Sequence, residues 1–317
     1  MTGYGYFLMA EENDPRELVR QARLAEEAGF EFLWLSDHYH PWLDEQGESP
    51  FAWSVIGALS QVTSLPVTTA VTCPLIRLHP AVIAQAAATS ALLTGGRFRL
   101  GVGTGEALNE HITGARWPSA EERLEMLEEA VHVIRELWTG KLISHFGTHY
   151  TVDTARLYSL PRQPPPLLMS GFGEKSIQLA ARIADGYIST MPDPAGLRRY
   201  REAGGEGRLT QVGMKVCWGP DEEQARKTMH RLWPTEEIPG EAAQLLPLPR
   251  HFGQLAQAVP EDKISAPCGP DPQAHIAAIR QYAEAGFDEV YIGQVGPDQE
   301  GFFEFYARQV LPQLRGG

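Results

Sequence analysis

Two short stretches carry the residue types that chemistry needs. One is 101–110, GVGTGEALNE, a glycine-rich turn holding the carboxylate Glu106 and the amide Asn109. The other is 36–42, SDHYHPW, with Asp37, His38, His40 and Trp42. Each follows a short apolar run, so both read as loops at strand ends. The imidazole of His38 suits proton transfer near neutral pH. Asp37 could orient it or bind a ligand N–H, and Trp42 could wall a ring or a cation. Glu106 places an acid beside backbone N–H groups. The glycines suggest close backbone approach to a flat or phosphorylated ligand. Each residue also has a plainer reading: a hydrogen-bonded loop histidine, a core tryptophan, a solvated turn carboxylate. GVGTG is not the dinucleotide fingerprint. That pattern opens straight into a helix, and here the helix signal waits until Pro118–Ser119. A third loop, SGFGEKS at 170–176, offers Gly173, Lys175 and Ser176 as a loose anion cradle at a helix start. Asp37, His38 and His40 lie on a loop and no HxxxH pair falls on a helix, so no metal is expected.

These loops need a frame, and the chain alternates strand and helix signals throughout. Strands are expected near residues 4, 32, 67, 97, 167, 186, 211 and 289. Helices are expected at 15–28, capped by Asp14, then at 51–62, 81–93, 119–139, 174–184, 197–202, 221–232, 271–285 and 301–314. The 119–139 segment has the clearest amphipathic stripe, and Ser119 with Glu122 forms a capping box. Repeated alternation means a parallel sheet, and eight units make a (β/α)8 TIM barrel. A doubly wound sheet is the alternative, but the phosphate fingerprint after its first strand is missing. The expected organisation is a single domain over 1–317. Rim insertions fall at about 140–166, a hairpin, and about 234–263, proline-rich and irregular. In such a barrel the site lies at the carboxyl ends of the strands, where the three loops fall.

Composition narrows the partners. The 317 residues are 43% hydrophobic, enough for a large core, and carry 40 acidic against 27 basic residues, a net charge of -13. No basic block points to nucleic acid, and no apolar run is long enough for a membrane span. The amino terminus does not resemble a signal peptide. Cys73, Cys217 and Cys268 are odd in number and widely spaced, so neither a disulfide framework nor a CxxC metal pair is expected. A cytoplasmic chain acting on a small molecule is the expectation.

The runs SDHYHPW, TCPLIRLHPAVIAQA, GVGTGEALNEH, ERLEMLEEAVHVIRELWTG and ARIADGYIST carry a resemblance that extends over nearly the whole chain. Together they resemble the luciferase-like deazaflavin oxidoreductases, a (β/α)8 family usually found as homodimers. The nearest branch includes F420-dependent glucose-6-phosphate dehydrogenase. The resemblance implies coenzyme F420 in the barrel mouth, with FMN (a luciferase-like monooxygenase or a flavin reductase) as the alternative. It implies that Asp37 contacts the cofactor and His38 removes the hydroxyl proton. Trp42 would steady the reacting geometry, and Glu106 would handle a proton at the ring edge. Ala70, Val71, Cys73, Thr104, Gly105 and Asn109 would line the cofactor, with a non-prolyl cis peptide at Ala70–Val71. Gly173, Lys175 and Ser176 would hold its phosphate, and Thr190 and Asp193 would face substrate. The chain departs from the sugar-phosphate enzymes in three places. Asp193 stands where they carry a lysine, the arginine ahead of the last helix is missing from ISAPCGPDP, and Cys73 replaces a hydroxyl residue. A carboxylate repels a phosphate dianion, so a neutral alcohol, carbonyl or activated alkene is expected rather than glucose-6-phosphate. A flavin-binding protein without catalysis is the reading from another class.

Overall fold

The computed structural model describes residues 2–238 and 240–316. Eight parallel strands close into a barrel in the order β1, β10, β9, β8, β7, β4, β3, β2. In chain order the elements begin β1 (Gly3–Leu8), α1 (Pro15–Ala28), β2 (Phe32–Leu35), α2 (Ala52–Leu59), β3 (Val67–Thr69), α3 (Pro80–Leu93) and β4 (Phe98–Val102). Then come α4 (Ala107–Glu110), α5 (Ala120–Leu137), the antiparallel hairpin β5 (Ile143–Phe146) and β6 (Thr151–Ala155), β7 (Leu167–Ser170), α6 (Glu174–Ile183) and β8 (Gly186–Ser189). The chain closes with α7 (Pro194–Tyr200), β9 (Leu209–Val216), α8 (Glu222–Leu232), α9 (Ala242–Leu245), α10 (Pro249–Ala256), α11 (Pro272–Glu284), β10 (Glu289–Gln294), α12 (Gln299–Phe305) and α13 (Leu311–Arg315). The expected TIM barrel and all eight of its strands are present.

Local chemistry explains the boundaries. Asp14 accepts from the N–H groups of Arg16 and Glu17, Pro15 opens α1, and Gly29 ends it at φ 95°. The stripe of α5 buries Leu127, Ala130, Val131, Ile134 and Leu137 against the barrel. The expected capping box there is only half made. Ser119 accepts from the N–H of Glu122, but the Glu122 carboxylate pairs with Arg116 instead. Helix α7 starts ahead of the expected residue 197 because Asp193 caps it, accepting from Ala195 N–H at 2.9 Å. The expected closing helix at 301–314 breaks into α12, a π-helical turn (Tyr306–Val310) and α13. Pro312 lacks the N–H that a continuous α-ladder needs. The 234–263 insertion contains α9, α10 and two 3-10 turns rather than being irregular throughout; Pro234 and Pro249 each open a helical turn.

The amino-terminal end of the barrel is filled. Trp34 stacks on Tyr291 with ring centroids 4.3 Å apart, and its indole N–H donates to Gln211. Gln211, Tyr291 and Arg99 all donate to Glu289, the first residue of β10. A buried carboxylate satisfied by several donors is stable where a lone one is not. With that end sealed, the carboxyl ends of the strands form the mouth.

Candidate active site at the carboxyl ends of the strands

Residues following β1 and β2 build the first half. Glu11 lies three residues past β1, with 1% of its surface exposed. One carboxylate oxygen sits 2.7 Å from Nδ1 of His38, a charge contact rather than an aligned hydrogen bond. The other accepts from Ser36 Oγ at 2.9 Å, and Ser36 in turn accepts from Ala10 N–H. Ser36 therefore ties the two strand ends together and aims Glu11 at the imidazole. Burial alone would lower the affinity of His38 for its proton. The charge of Glu11, then those of Glu106 and Asp37, outweighs it and raises the pKa above the usual histidine value. Burial alone would also raise Glu11, yet the facing His38 holds it below the usual carboxylate value. For the neighbouring Glu12 burial wins and pushes it up to about 7, although the Trp233 indole and the Gly296 N–H donate to it and Lys215 pulls the other way. Trp42 meets His38 edge-on at 5.4 Å and in turn packs edge-on to Phe252 of α10 at 5.2 Å.

Asp37 is occupied by the protein. Its carboxylate accepts from Thr72 Oγ1 at 2.7 Å and from the Arg77 guanidinium at 2.8 Å. Arg77 also lies 3.6 Å from Glu110, whose other oxygen accepts the N–H groups of Ile76 and Arg77. Glu110 is fully buried, and burial raises its pKa despite Arg77. Asp37, Arg77 and Glu110 thus form a buried charge cluster joining the segments after β2, β3 and β4. Asn109 adds a second tie. Its oxygen accepts from the N–H groups of Tyr39 and His40, and its amide donates to Glu106 at 3.3 Å. His40 reaches the carbonyl of Leu108 at 2.8 Å, a loop-structural contact. Asn109 therefore ties the loop that carries His38 to the loop that carries Glu106 at the carboxyl ends of β2 and β4.

The glycines of GVGTG have a packing role within the protein. A Cβ on Gly101 would stand 2.0 Å from the carbonyl oxygen of Thr69, one on Gly103 2.7 Å from Val71, and one on Gly105 2.5 Å from the sulfur of Cys73. Their small size lets the end of β4 lie against the end of β3. Only Gly105, at φ 69°, also needs glycine for its backbone. The loop opens directly into the one-turn helix α4, which four residues are too short to announce by periodicity. The peptide between Ala70 and Val71 is cis. Ala70 and Val71, just past β3, and Thr104, Gly105 and Glu106, just past β4, are half-buried. Cys73 is buried and its thiol is pushed well up by burial, so it is no thiolate nucleophile.

The far side of the mouth is looser. Gly173 precedes α6 with no capping side chain; its N–H donates to Ser176 Oγ, which donates back to the Gly173 carbonyl. Lys175 is exposed and paired with Glu121 at 2.7 Å. Thr190 is exposed after β8, and Asp193 is spent as the α7 cap.

Sequence reasoning missed Glu11, Thr72, Arg77 and Glu110. Acidic residues just past β1 and at the end of α4 were visible, but nothing local paired them with a histidine or an arginine.

The luciferase-like monooxygenase family model matches residues 2–289. The chain belongs to that family. It is 36% identical to an F420-dependent glucose-6-phosphate dehydrogenase of Microbacterium testaceum, over 98% of this chain and 97% of that one. It is 36% identical to the F420-dependent hydroxymycolic acid dehydrogenase of Mycobacterium tuberculosis, over 99% of this chain and 88% of that one. Among solved structures, an F420-dependent secondary alcohol dehydrogenase in complex with an F420-acetone adduct superposes with a TM-score of 0.91. That pair is 30% identical and each chain is 99% covered. An F420-dependent tetrahydromethanopterin reductase from Methanopyrus kandleri, 22% identical with a TM-score of 0.78, shares the fold.

Proposed function

We propose that this chain is an F420-dependent oxidoreductase acting on a small neutral alcohol or the matching carbonyl compound. One observation carries the reading: Glu11 stands 2.7 Å from Nδ1 of His38, with the charge of Glu106 also acting on that ring, in a chain whose relatives are F420-dependent dehydrogenases. The residues suit the cofactor. The half-buried small residues Ala70, Val71 and Gly105 suit contact with a planar ring, and the first turn of α6 carries N–H groups that suit an anion, with Ser176 and Lys175 beside it. When bound, F420 supplies the acceptor for a hydride in alcohol oxidation, or the donor in carbonyl reduction.

The protein's own groups do the rest. With Nδ1 held against Glu11, Nε2 of His38 is the nitrogen left to take the substrate hydroxyl proton or return it. Glu11 fixes the ring and stabilises the imidazolium. Trp42 covers one side of His38 and limits water there. Glu106 holds a carboxylate where a second proton is handled. Asp37 acts from beneath, positioning His38 through the Arg77 cluster, and Asn109 keeps both loops in register. Asp193 brings a negative group near Thr190 in place of a cation, which favours an uncharged substrate over a sugar phosphate.

The test is binding and turnover with purified chain. F420 should bind, FMN should not compete, and secondary alcohols should reduce bound F420 with loss of its visible absorbance. Binding of FMN alone, or turnover only with glucose-6-phosphate, overturns the reading. The exposed apolar residues Phe51, Val82, Leu92 and Leu93 on neighbouring parts of α2 and α3 support a homodimer through that face. A Leu93→Asp variant should then run as a monomer by light scattering while the wild type runs as a dimer.

A further inference from the structure

Outside the mouth, the outer face of α5 meets the β5–β6 hairpin through an unusual set of side chains. His132 and Glu136 are one helical turn apart on α5, and His145 comes from β5. One potential ligand atom from each lies within 4.8 Å of the others. The two imidazole rings are 5.7 Å apart, and His132 Nε2 is 3.7 Å from Glu136. From the geometry we infer that His132, Glu136 and His145 form a binding site for a zinc-like divalent cation that staples the hairpin to α5.

The donor set determines the ion class. Two imidazole nitrogens and one carboxylate suit zinc, nickel or copper, whereas magnesium and calcium want oxygen ligands. Bonds of about 2.0–2.2 Å put tetrahedral ligand atoms about 3.3–3.6 Å apart, with water in the fourth position. The present spacing closes to that by rotation of exposed side chains: 60% of the His132 side chain and 40% of Glu136 face solvent. His145 is the fixed member, at 16% exposure, because Glu129 stands 3.0 Å from its Nε2. Glu129 also accepts the N–H groups of His149 and Tyr150, so one carboxylate anchors both the ring and the hairpin turn. From there Tyr150 donates to the carbonyls of Pro74 and Leu75, next to Arg77. A cation here would stiffen the hairpin that buttresses the segment after β3. The expectation of no metal looked for ligands on one helix or loop and did not reach a set assembled from two elements.

Calorimetric titration of ZnCl2 into tag-free, chelator-stripped protein tests this. The wild type should bind about one equivalent of zinc and melt at a higher temperature with it. His132→Ala and Glu136→Gln, the one exposed and the other half-buried on the outer face of α5, should each lose at least the roughly tenfold in affinity that loss of an outer partner costs. MgCl2 and CaCl2 should give no binding. A second imidazole pair among the described residues, His40 stacked on His111 at 5.6 Å, serves as control. No zinc binding by the wild type, unchanged affinity in both variants, or loss of binding in His111→Ala instead would overturn the site. Alcohol turnover plays no part in this readout, so it stands or falls apart from the proposed activity.

Discussion

The two sides of the barrel mouth are built on opposite plans. On the side of β1 to β4, charges are buried and cross-linked: Glu11 with His38, Asp37 with Arg77, Arg77 with Glu110, and Asn109 between loops. On the side of β7 and β8, the polar side chains point out and serve their own helices. Lys175 pairs with Glu121 on the surface, Ser176 bonds back to Gly173 at the start of α6, and Asp193 caps α7. Buried pairs lock geometry because breaking one strands a charge in a poor solvent. Exposed pairs are worth little and are easily exchanged. The first side can hold a proton-transfer group in one place, and the second is free to change what it recognises.

The comparison can be broken in order of effect. His38→Ala should lower the turnover number by about 10²–10⁴-fold, the range for a general acid or base, while F420 affinity measured by fluorescence stays near wild type. Retained turnover would remove His38 from the chemistry. Arg77→Met should cost about 3–5 kcal/mol of stability in denaturant unfolding, because Asp37 and Glu110 are left buried without their cation. A change under about 1 kcal/mol would show that the cluster is not a clamp.

Glu11→Gln sharpens the picture through pH. His38 is raised by Glu11, so in the wild type alcohol oxidation should switch on only as pH rises past a value above the ordinary imidazole one. With the carboxylate gone, burial dominates and the rise should move to lower pH, with reduced maximal turnover. An unmoved profile would break the coupling. The smallest effect belongs to the other side. Asp193→Ala should cost about 1 kcal/mol by loss of the α7 cap, seen as a slightly lower melting temperature, and should leave the pH profile in place.

Alternation of apolar runs with capped amphipathic helices made the barrel legible, because period and caps are local properties. Asp14, Pro15 and Gly29 are enough to bound α1 without any tertiary information. The strand-end rule then placed His38 and Glu106 at one end, since every parallel strand of a closed barrel points the same way. What stayed hidden was pairwise and distant. Glu11 and His38 are separated by one whole helix and strand, and Arg77 and Glu110 by another, so no spacing rule joins them. The packing of the glycines of 101–105 against the end of β3 was not legible either, because a missing side chain does not say which neighbour it makes room for.

By itself the sequence determined the list of elements, their order and the end of the barrel at which polar groups gather. Hydrogen bonding and burial periodicity act within a few residues and leave their mark in the chain. The tertiary structure alone decided which carboxylate charges the imidazole, which aspartate is locked by an arginine and which merely caps a helix. Those outcomes depend on distances between segments remote in sequence, and an electrostatic interaction depends on distance and burial, not on position along the chain.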